Sequence, residues 1–259
     1  MTNLPFFQVD AFATKPFEGN QAAVIPLDRW LTDDVLQAIA AENNLSETAF
    51  TVPSEDSEVD YDLRWFTPTV EVDLCGHATL ASAHILLTGN KVRFATRSGV
   101  LTVSRLDGML WLDLPAYPVE EGDEPGLLEA LGVSGPVFLS RGGNGSAIVL
   151  LADEEGVRAV NPDFTALRTI DRLVIVTAPG DSTAIASRVF AAYHGIDEDP
   201  VTGSAHAALV PFWAKRLGRD RFAALQASKR SGRIECELRG ERVLLGGHAV
   251  TVIEGHFQL

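Results

Sequence analysis

One kind of helix start occurs twice in this chain, once in each half, and it limits the fold more than any other feature. Cys75-Gly76-His77-Ala78-Thr79-Leu80 opens one apolar run, and Thr202-Gly203-Ser204-Ala205-His206-Ala207 opens another. In each, a glycine is followed by a polar residue and then an alanine. The runs 78–87 and 203–217 are apolar around most of a helical circumference. A helix of that kind must be buried, so each half has to wrap a sheet around its own helix.

The remaining segments fit that demand. Strand patterns, rich in aromatic and β-branched residues, stand at 5–12, 22–25, 48–52, 61–66, 91–95, 100–104 and 110–114. Asp107-Gly108 is a hairpin turn. Thr32 is placed to cap a helix with Asp33 and Asp34 in its first turn, and Asn43-Asn44 ends it. Gly89-Asn90 is expected to stop the first central helix and Gly218 the second. Pro115, Pro118 and Pro125 mark the best boundary, giving domains 1–115 and 116–259, with the last strand able to pack on the first domain. Beyond the boundary, helices are expected at 126–131 and 162–167, strands at 137–140, 147–151, 173–177, 233–238, 242–245 and 249–255, and a loop at 195–200. Strands, one central helix and more strands, twice over, predict an α+β chain with pseudo-twofold symmetry.

With 35 acidic residues against 21 basic ones, the net charge is −14. Such a chain repels nucleic acid and anionic membranes. The acidic residues form no long run and read as a solvated surface. The first ten residues lack the basic start and apolar run of a signal peptide, and no stretch reaches the length of a membrane span, so the cytoplasm is the expected location. Cys75 and Cys236 form neither a disulfide framework nor a metal cluster, and the histidines show no metal spacing. There is no phosphate loop, dinucleotide motif or nucleophile elbow. Gly142-Gly143-Asn144-Gly145 leads into a strand and reads as a hairpin loop. No cofactor and no metal are expected.

Two facing helix starts would offer free backbone N–H groups and about half a positive charge each. Glycine lets a ligand approach the backbone, so the pair suits a small carboxylate or a developing enolate. Taken alone, Ser204 is an ordinary cap; the repetition favours a site. Glu47 lies where a helix exit runs into an apolar strand, in Asn44-Leu45-Ser46-Glu47-Thr48-Ala49-Phe50. Most glutamates are solvated, but one placed here can be partly desolvated for general acid/base work. His77 follows Gly76 at a helix start, where a cation is disfavoured, so a neutral ring is expected. Asp199 precedes Pro200 and is held extended to accept from a substrate amine or hydroxyl, while Glu198 is expected to be solvated. Cys75 stands where a helix start lowers a thiol pKa, but Thr202 fills the matching place, which rules out a two-thiol racemase. His84 and His206 lie in apolar helices as packing or hydrogen-bonding residues, and Cys236 is expected to be buried and inert.

Asp10-Ala11-Phe12, Phe17-Glu18-Gly19-Asn20, the segment 44–50, Phe66-Thr67-Pro68, the segment 75–80, Ser98-Gly99-Val100-Leu101 and the segment 195–206 occur in this order. With these blocks the chain resembles the phenazine-biosynthesis isomerase-like family, which shares the diaminopimelate epimerase fold. The blocks 75–79 and 198–205 are the most specific. The resemblance implies two pseudo-symmetric domains, each a barrel-like, mostly antiparallel sheet around a central helix, with the active site in the cleft between them. It implies that Glu47 takes a proton from one carbon and returns it to another. It makes His77, Asp199 and Ser204 the residues that bind substrate and assist proton movement. It makes Gly76 and Gly203 backbone donors for a carboxylate, and Asn20 a substrate-binding residue. The best-characterised member isomerises a dihydro-hydroxyanthranilate without cofactor and is a homodimer. This chain departs from the family pattern at Gln21, where proline is usual, and at Ala227 after Gln226, where glycine is common. The expected function is a cofactor-independent, proton-shifting isomerase of a small carboxylate-bearing substrate. The alternatives are an epimerase or racemase of a small acid, disfavoured by the missing second cysteine, and a silent small-molecule binder, disfavoured by the intact set Glu47, His77, Asp199 and Ser204.

Overall fold

The structure, a computed structural model, describes residues 2–140 and 145–259; Gly142-Gly143-Asn144 of the expected hairpin loop lie outside them. The chain forms two compact units, one of Met1–Asp113 with Gly246–Leu259, the other of Leu114–Leu245.

The first unit contains β1 (Asn3–Ala11), β2 (Asn20–Pro26), α1 (Asp33–Asn43), β3 (Glu47–Pro53), β4 (Tyr61–Phe66), β5 (Glu71–Val72), α2 (Gly76–Leu86), β6 (Lys91–Thr96), β7 (Gly99–Leu106) and most of β8 (Met109–Pro115). β1 and β2 are antiparallel, and β2 runs parallel to β3 with α1 as the crossover. β4 is antiparallel to β3 and β5 but parallel to β6, with α2 as the crossover. Parallel neighbours need such a crossing element, which is why helices fall at these two places. β6, β7 and β8 form an antiparallel meander. Asp107 and Gly108 turn β7 into β8 with φ of 51° and 78°, the two left-handed residues of a tight hairpin.

The second unit holds β9 (Val119–Gly122), α3 (Leu127–Leu131), β10 (Val137–Ser140), β11 (Ser146–Leu150), α4 (Glu154–Ala159), α5 (Phe164–Leu167), β12 (Leu173–Pro179), β13 (Ile185–Ala191), β14 (Ile196–Asp199), α6 (Gly203–Leu217), β15 (Arg221–Gln226), β16 (Gly232–Arg239) and most of β17 (Arg242–Gly247). β18 (Ala249–Gln258) returns to the first unit and pairs with β1. The pairing scheme repeats. β10 and β11 are antiparallel, β11 is parallel to β12 across α4 and α5, and β12 is antiparallel to β13. β13 is antiparallel to β14 and parallel to β15 across α6, and β15 is antiparallel to β16. The fold is therefore α+β and duplicated.

Each central helix is the pivot of its unit. Gly76 to Ala83 of α2 are all buried. β1, β2, β3, β7 and β18 all touch α2, so strands from both ends of the pairing order reach one helix and the sheet curls around it. α6 buries residues on every face between Ala205 and Ala214 and packs on β11 and β16. The outer faces are covered separately. Leu36 and Ile39 of α1 join Ile25, Phe50 and Phe66 in one cluster. In the second unit Leu127, Leu131, Val157 and Leu167 from the short helices meet Val149, Val176 and Phe190.

Several expectations are corrected. The loop expected at 195–200 contains a strand, β14, because Asp199 pairs opposite Val189. β13 was not anticipated; six of its seven residues are buried, so it has no alternation to read. β15 was not anticipated either, and its paired alanines carry little strand preference. Thr32 occupies the N-cap of α1 but its side chain makes no capping bond. The helix expected at 162–167 is one turn, α5, capped by the Asp163 carboxylate. Pro211 lies inside α6 and cannot donate to the Ala207 carbonyl; the N–H of Tyr117 does so instead, at 2.9 Å. No helix among the described residues is long and apolar enough to cross a membrane.

Candidate active site

In the first unit three element ends converge. β2 opens at Asn20, directly after Gly19, whose φ is +66° and where a Cβ would stand 2.1 Å from the Ala11 carbonyl oxygen. Only glycine fits that turn. α1 ends at Asn44 in the left-handed conformation, which sends the chain back so that β3 opens at Glu47. β2 and β3 are parallel, so both openings lie at the same edge. There α2 begins, with Cys75 at its N-cap and Gly76 and His77 in its first turn. His77 Nε2 lies 2.9 Å from Glu47 Oε2. The Asn20 amide is 3.1 Å from His77 Nδ1, and Ser46 Oγ donates to Asn20 Oδ1 at 3.1 Å. Cys75 Sγ lies 3.6 Å from His77 Nδ1. Glu47 and His77 are 8% and 3% exposed, so the pair is screened from water.

The electrostatics correct two expectations. The Cys75 thiol is not acidified by its helix start; burial, and then the Glu47 charge, push it up to about 11. Burial alone would lower the His77 pKa, but Cys75 and Glu47 outweigh it and hold the ring well above its ordinary value. The expected preference for a neutral ring does not hold. Asn20 is able to serve either state. As placed, its Nδ2 donates to a bare Nδ1. With the amide turned over, Oδ1 accepts from the imidazolium and Nδ2 donates to Ser46. Carboxylate, thiol and imidazole of Glu47, Cys75 and His77 lie within 4.8 Å of one another, a grouping able to hold a metal ion.

In the second unit β14 ends at Asp199, and the turn through Pro200 and Val201 leads to Thr202 at the N-cap of α6. Gly203 and Ser204 open the helix. The Thr202 hydroxyl does not cap it; it donates to Asp199 Oδ2. Gln226 reaches this turn from the end of β15, donating to the Asp199 carbonyl at 2.7 Å and accepting from Thr202 N–H at 2.8 Å. His206 Nδ1 donates to the Thr202 carbonyl at 2.8 Å, and burial pushes its pKa down to about 4. Glu198 is not simply solvated, because it forms two hydrogen bonds with Arg188, at 2.7 and 3.0 Å. His84 is the hydrogen-bonding residue expected, 3.1 Å from Thr251 Oγ1, and Cys236 is buried and free.

The structure thus groups Asn20, Glu47, Gly76 and His77 at one helix start and Asp199, Gly203 and Ser204 at the other. Sequence reasoning missed Ser46, Thr202 and Gln226. Their contacts span 24 to 27 positions or join polar neighbours with no motif of their own.

A sheet curled around a buried helix, made twice, with titratable groups at both helix starts, defines an isomerase or epimerase-like fold. A predicted epimerase of Pseudomonas aeruginosa, 21% identical, has the same fold with a TM-score of 0.74 over 99% of each chain. The sequence profile of the family described as PhzC-PhzF, phenazine biosynthesis-like protein, matches residues 9–255. Two proteins of Pseudomonas aeruginosa named as uncharacterized isomerases are each 50% identical over 99% of both chains. The crystal structure of an Enterococcus faecalis PhzF-family protein is 44% identical, with a TM-score of 0.93 and full coverage of both chains. The chain belongs to the phenazine biosynthesis-like family.

Proposed function

We propose that this protein is a cofactor-independent isomerase that moves a proton between two carbons of a small carboxylate-bearing substrate, with Glu47 as both base and acid. The observation that carries this reading is the buried Glu47–His77 pair at 2.9 Å. Glu47 removes a proton from a carbon next to an unsaturated or carboxyl-bearing group, and the electron pair left behind spreads into that system. Glu47 returns the same proton to a second carbon, and the double bond moves. Nothing is oxidised or reduced. The His77 proton steadies Glu47 while it is an anion and is free to be shared when the carboxyl is protonated. Backbone N–H groups at Gly76 and Gly203 are assigned to the substrate carboxylate and to the charge that develops on it. Asp199 and Ser204 are assigned to its amine or hydroxyl groups, and Asn20 to keeping His77 in register.

Proton NMR in deuterium oxide tests the reading, on a panel of small unsaturated or amino-bearing carboxylates headed by dihydro-hydroxyanthranilate. The wild type is expected to exchange a carbon-bound proton, and Glu47→Gln to lose about a hundredfold or more of that rate while remaining folded. Full activity in Glu47→Gln would sink the assignment of the base. Exchange with loss of optical rotation, and with no change in ultraviolet absorption, would identify an epimerase instead.

A further inference from the structure

Gln226 is completely buried, and its side-chain amide is fully used. Oε1 accepts from Thr202 N–H at 2.8 Å. Nε2 has two hydrogens; one goes to the Asp199 carbonyl at 2.7 Å and the other to Thr202 Oγ1 at 3.1 Å. The amide cannot be turned over, because that would set oxygen against the Asp199 carbonyl and N–H against the Thr202 N–H. Its backbone is fixed as well, since Gln226 pairs with Ser187 on one side and Gly232 on the other.

The fixed amide gives the next bond its direction. Thr202 Oγ1 accepts from Gln226 and has a single proton of its own, and that proton is given to Asp199 Oδ2. The chain of donors runs one way, from Gln226 through Thr202 to the carboxylate. The Thr202 carbonyl is held separately by His206, so the hydroxyl is the one part of Thr202 left to act on Asp199. A glutamate at position 226 would offer acceptors where two donors are needed.

We propose that Gln226 is a positioning residue for Asp199, acting through the Thr202 hydroxyl so that the carboxylate is held as an acceptor in one orientation. The inference rests on the reading of Asp199 as a substrate-binding group. Neither Gln226 nor Thr202 touches the reacting carbons in that reading.

The test uses the full chain and the variants Thr202→Val, Thr202→Ser, Gln226→Glu and the pair Gln226→Glu with Thr202→Val. The first readout needs no substrate: NMR of the Thr202 hydroxyl proton and the Gln226 side-chain amide protons in the wild type. A slowly exchanging hydroxyl proton with cross-peaks to the Gln226 amide is expected, and a rapidly exchanging one overturns the chain of donors whatever the enzyme turns over. The second readout is Glu47-dependent deuterium exchange on dihydro-hydroxyanthranilate and the rest of the panel. Thr202→Val is expected to lose about tenfold to a hundredfold, the worth of a hydrogen bond to a charged group. Thr202→Ser is expected to restore most of it, and the double variant to be no slower than the slower single variant. Losses that multiply in the double variant, or a Thr202→Val as fast as the wild type, overturn the proposal. If the wild type exchanges nothing, the isomerase reading falls, and the hydroxyl signal alone decides whether the directed chain exists.

Discussion

His77 and His206 show, within one molecule, how a neighbour decides what burial does to a side chain. Both are buried in central helices, yet a carboxylate faces His77, while the hydrogen-bond partner of the His206 ring among the described residues is a backbone carbonyl. Their effects on stability therefore have opposite signs. His206 has a folded pKa of about 4 against an ordinary 6.5, so the unfolded chain binds the extra proton first. Its contribution is full above about 6.5 and is lost as pH falls toward 4, by about 3 kcal/mol in all. Unfolding by urea between pH 7 and pH 4 is expected to show a shallower decline in His206→Gln than in the wild type; parallel declines would mean that His206 titrates normally. The raised pKa of His77 works the other way, with stability full below the ordinary value and falling as pH rises through the folded one. His77→Gln is expected to cost more stability at pH 6 than at pH 9, measured as the difference in Tm from the wild type. Glu47, His77 and Asp199 were legible in the sequence because each sits beside a glycine, a proline or a strand start that reveals its setting. The state of Cys75 was not legible. A helix start lowers a thiol pKa, but burial raises it, and whether burial outweighs the helix is a tertiary fact.

Elements were readable where one local rule suffices and hidden where pairing decides. The all-apolar runs of α2 and α6 and the Asp107-Gly108 hairpin carry their structure in their composition. β13 and β14 do not, since burial on both faces erases alternation in the first and the second exists only because β13 lies beside it. Pro211 illustrates the same point from the other side. Proline argues against a helix interior, and α6 continues through it because Tyr117, distant in sequence, supplies the missing donor. The turn before β2 gives the sharpest test at this scale. Gly19→Ala places a methyl 2.1 Å from the Ala11 carbonyl, whereas Gly108→Ala, at a similar positive φ, meets nothing within 4 Å. Gly108→Ala is expected to cost about 1 kcal/mol, the strain of a left-handed alanine. Gly19→Ala is expected to cost at least about twice that, and also to slow exchange by moving Asn20 off His77. Equal losses of Tm in the two variants would show that the close approach at Gly19 is relaxed by the backbone at little cost.

Across the whole molecule, the two units share one scaffold and differ in the titratable groups they place on it. In the first unit Glu47 stands opposite Ala22, one residue before the Thr48–Phe66 pair. In the second unit Leu173 stands opposite Ser146, one residue before the Val174–Phe190 pair. Leu173 is thus the counterpart of Glu47. By the same register Asp199, opposite Val189, matches Val72, opposite Trp65. Cys75 and His77 match Thr202 and Ser204. Each unit keeps one acid near its helix start, on a different strand, and only the first unit places an imidazole beside it. The repeat, and the exchange of Cys75 and His77 for Thr202 and Ser204, were visible in the sequence as two glycine-led helix starts, but the strand that carries each acid was not, because it depends on register. This asymmetry predicts that the units cannot exchange roles. Leu173→Glu buries a carboxylate at a position whose helix-start counterpart is a serine instead of an imidazole. The expected cost is several kcal/mol, read as a drop in urea midpoint. Combined with Glu47→Gln, it is expected to restore no deuterium exchange. A folded double variant that regains exchange would show that either half of the duplicated scaffold can carry the base, and that exchange does not depend on the pairing of a carboxylate with His77.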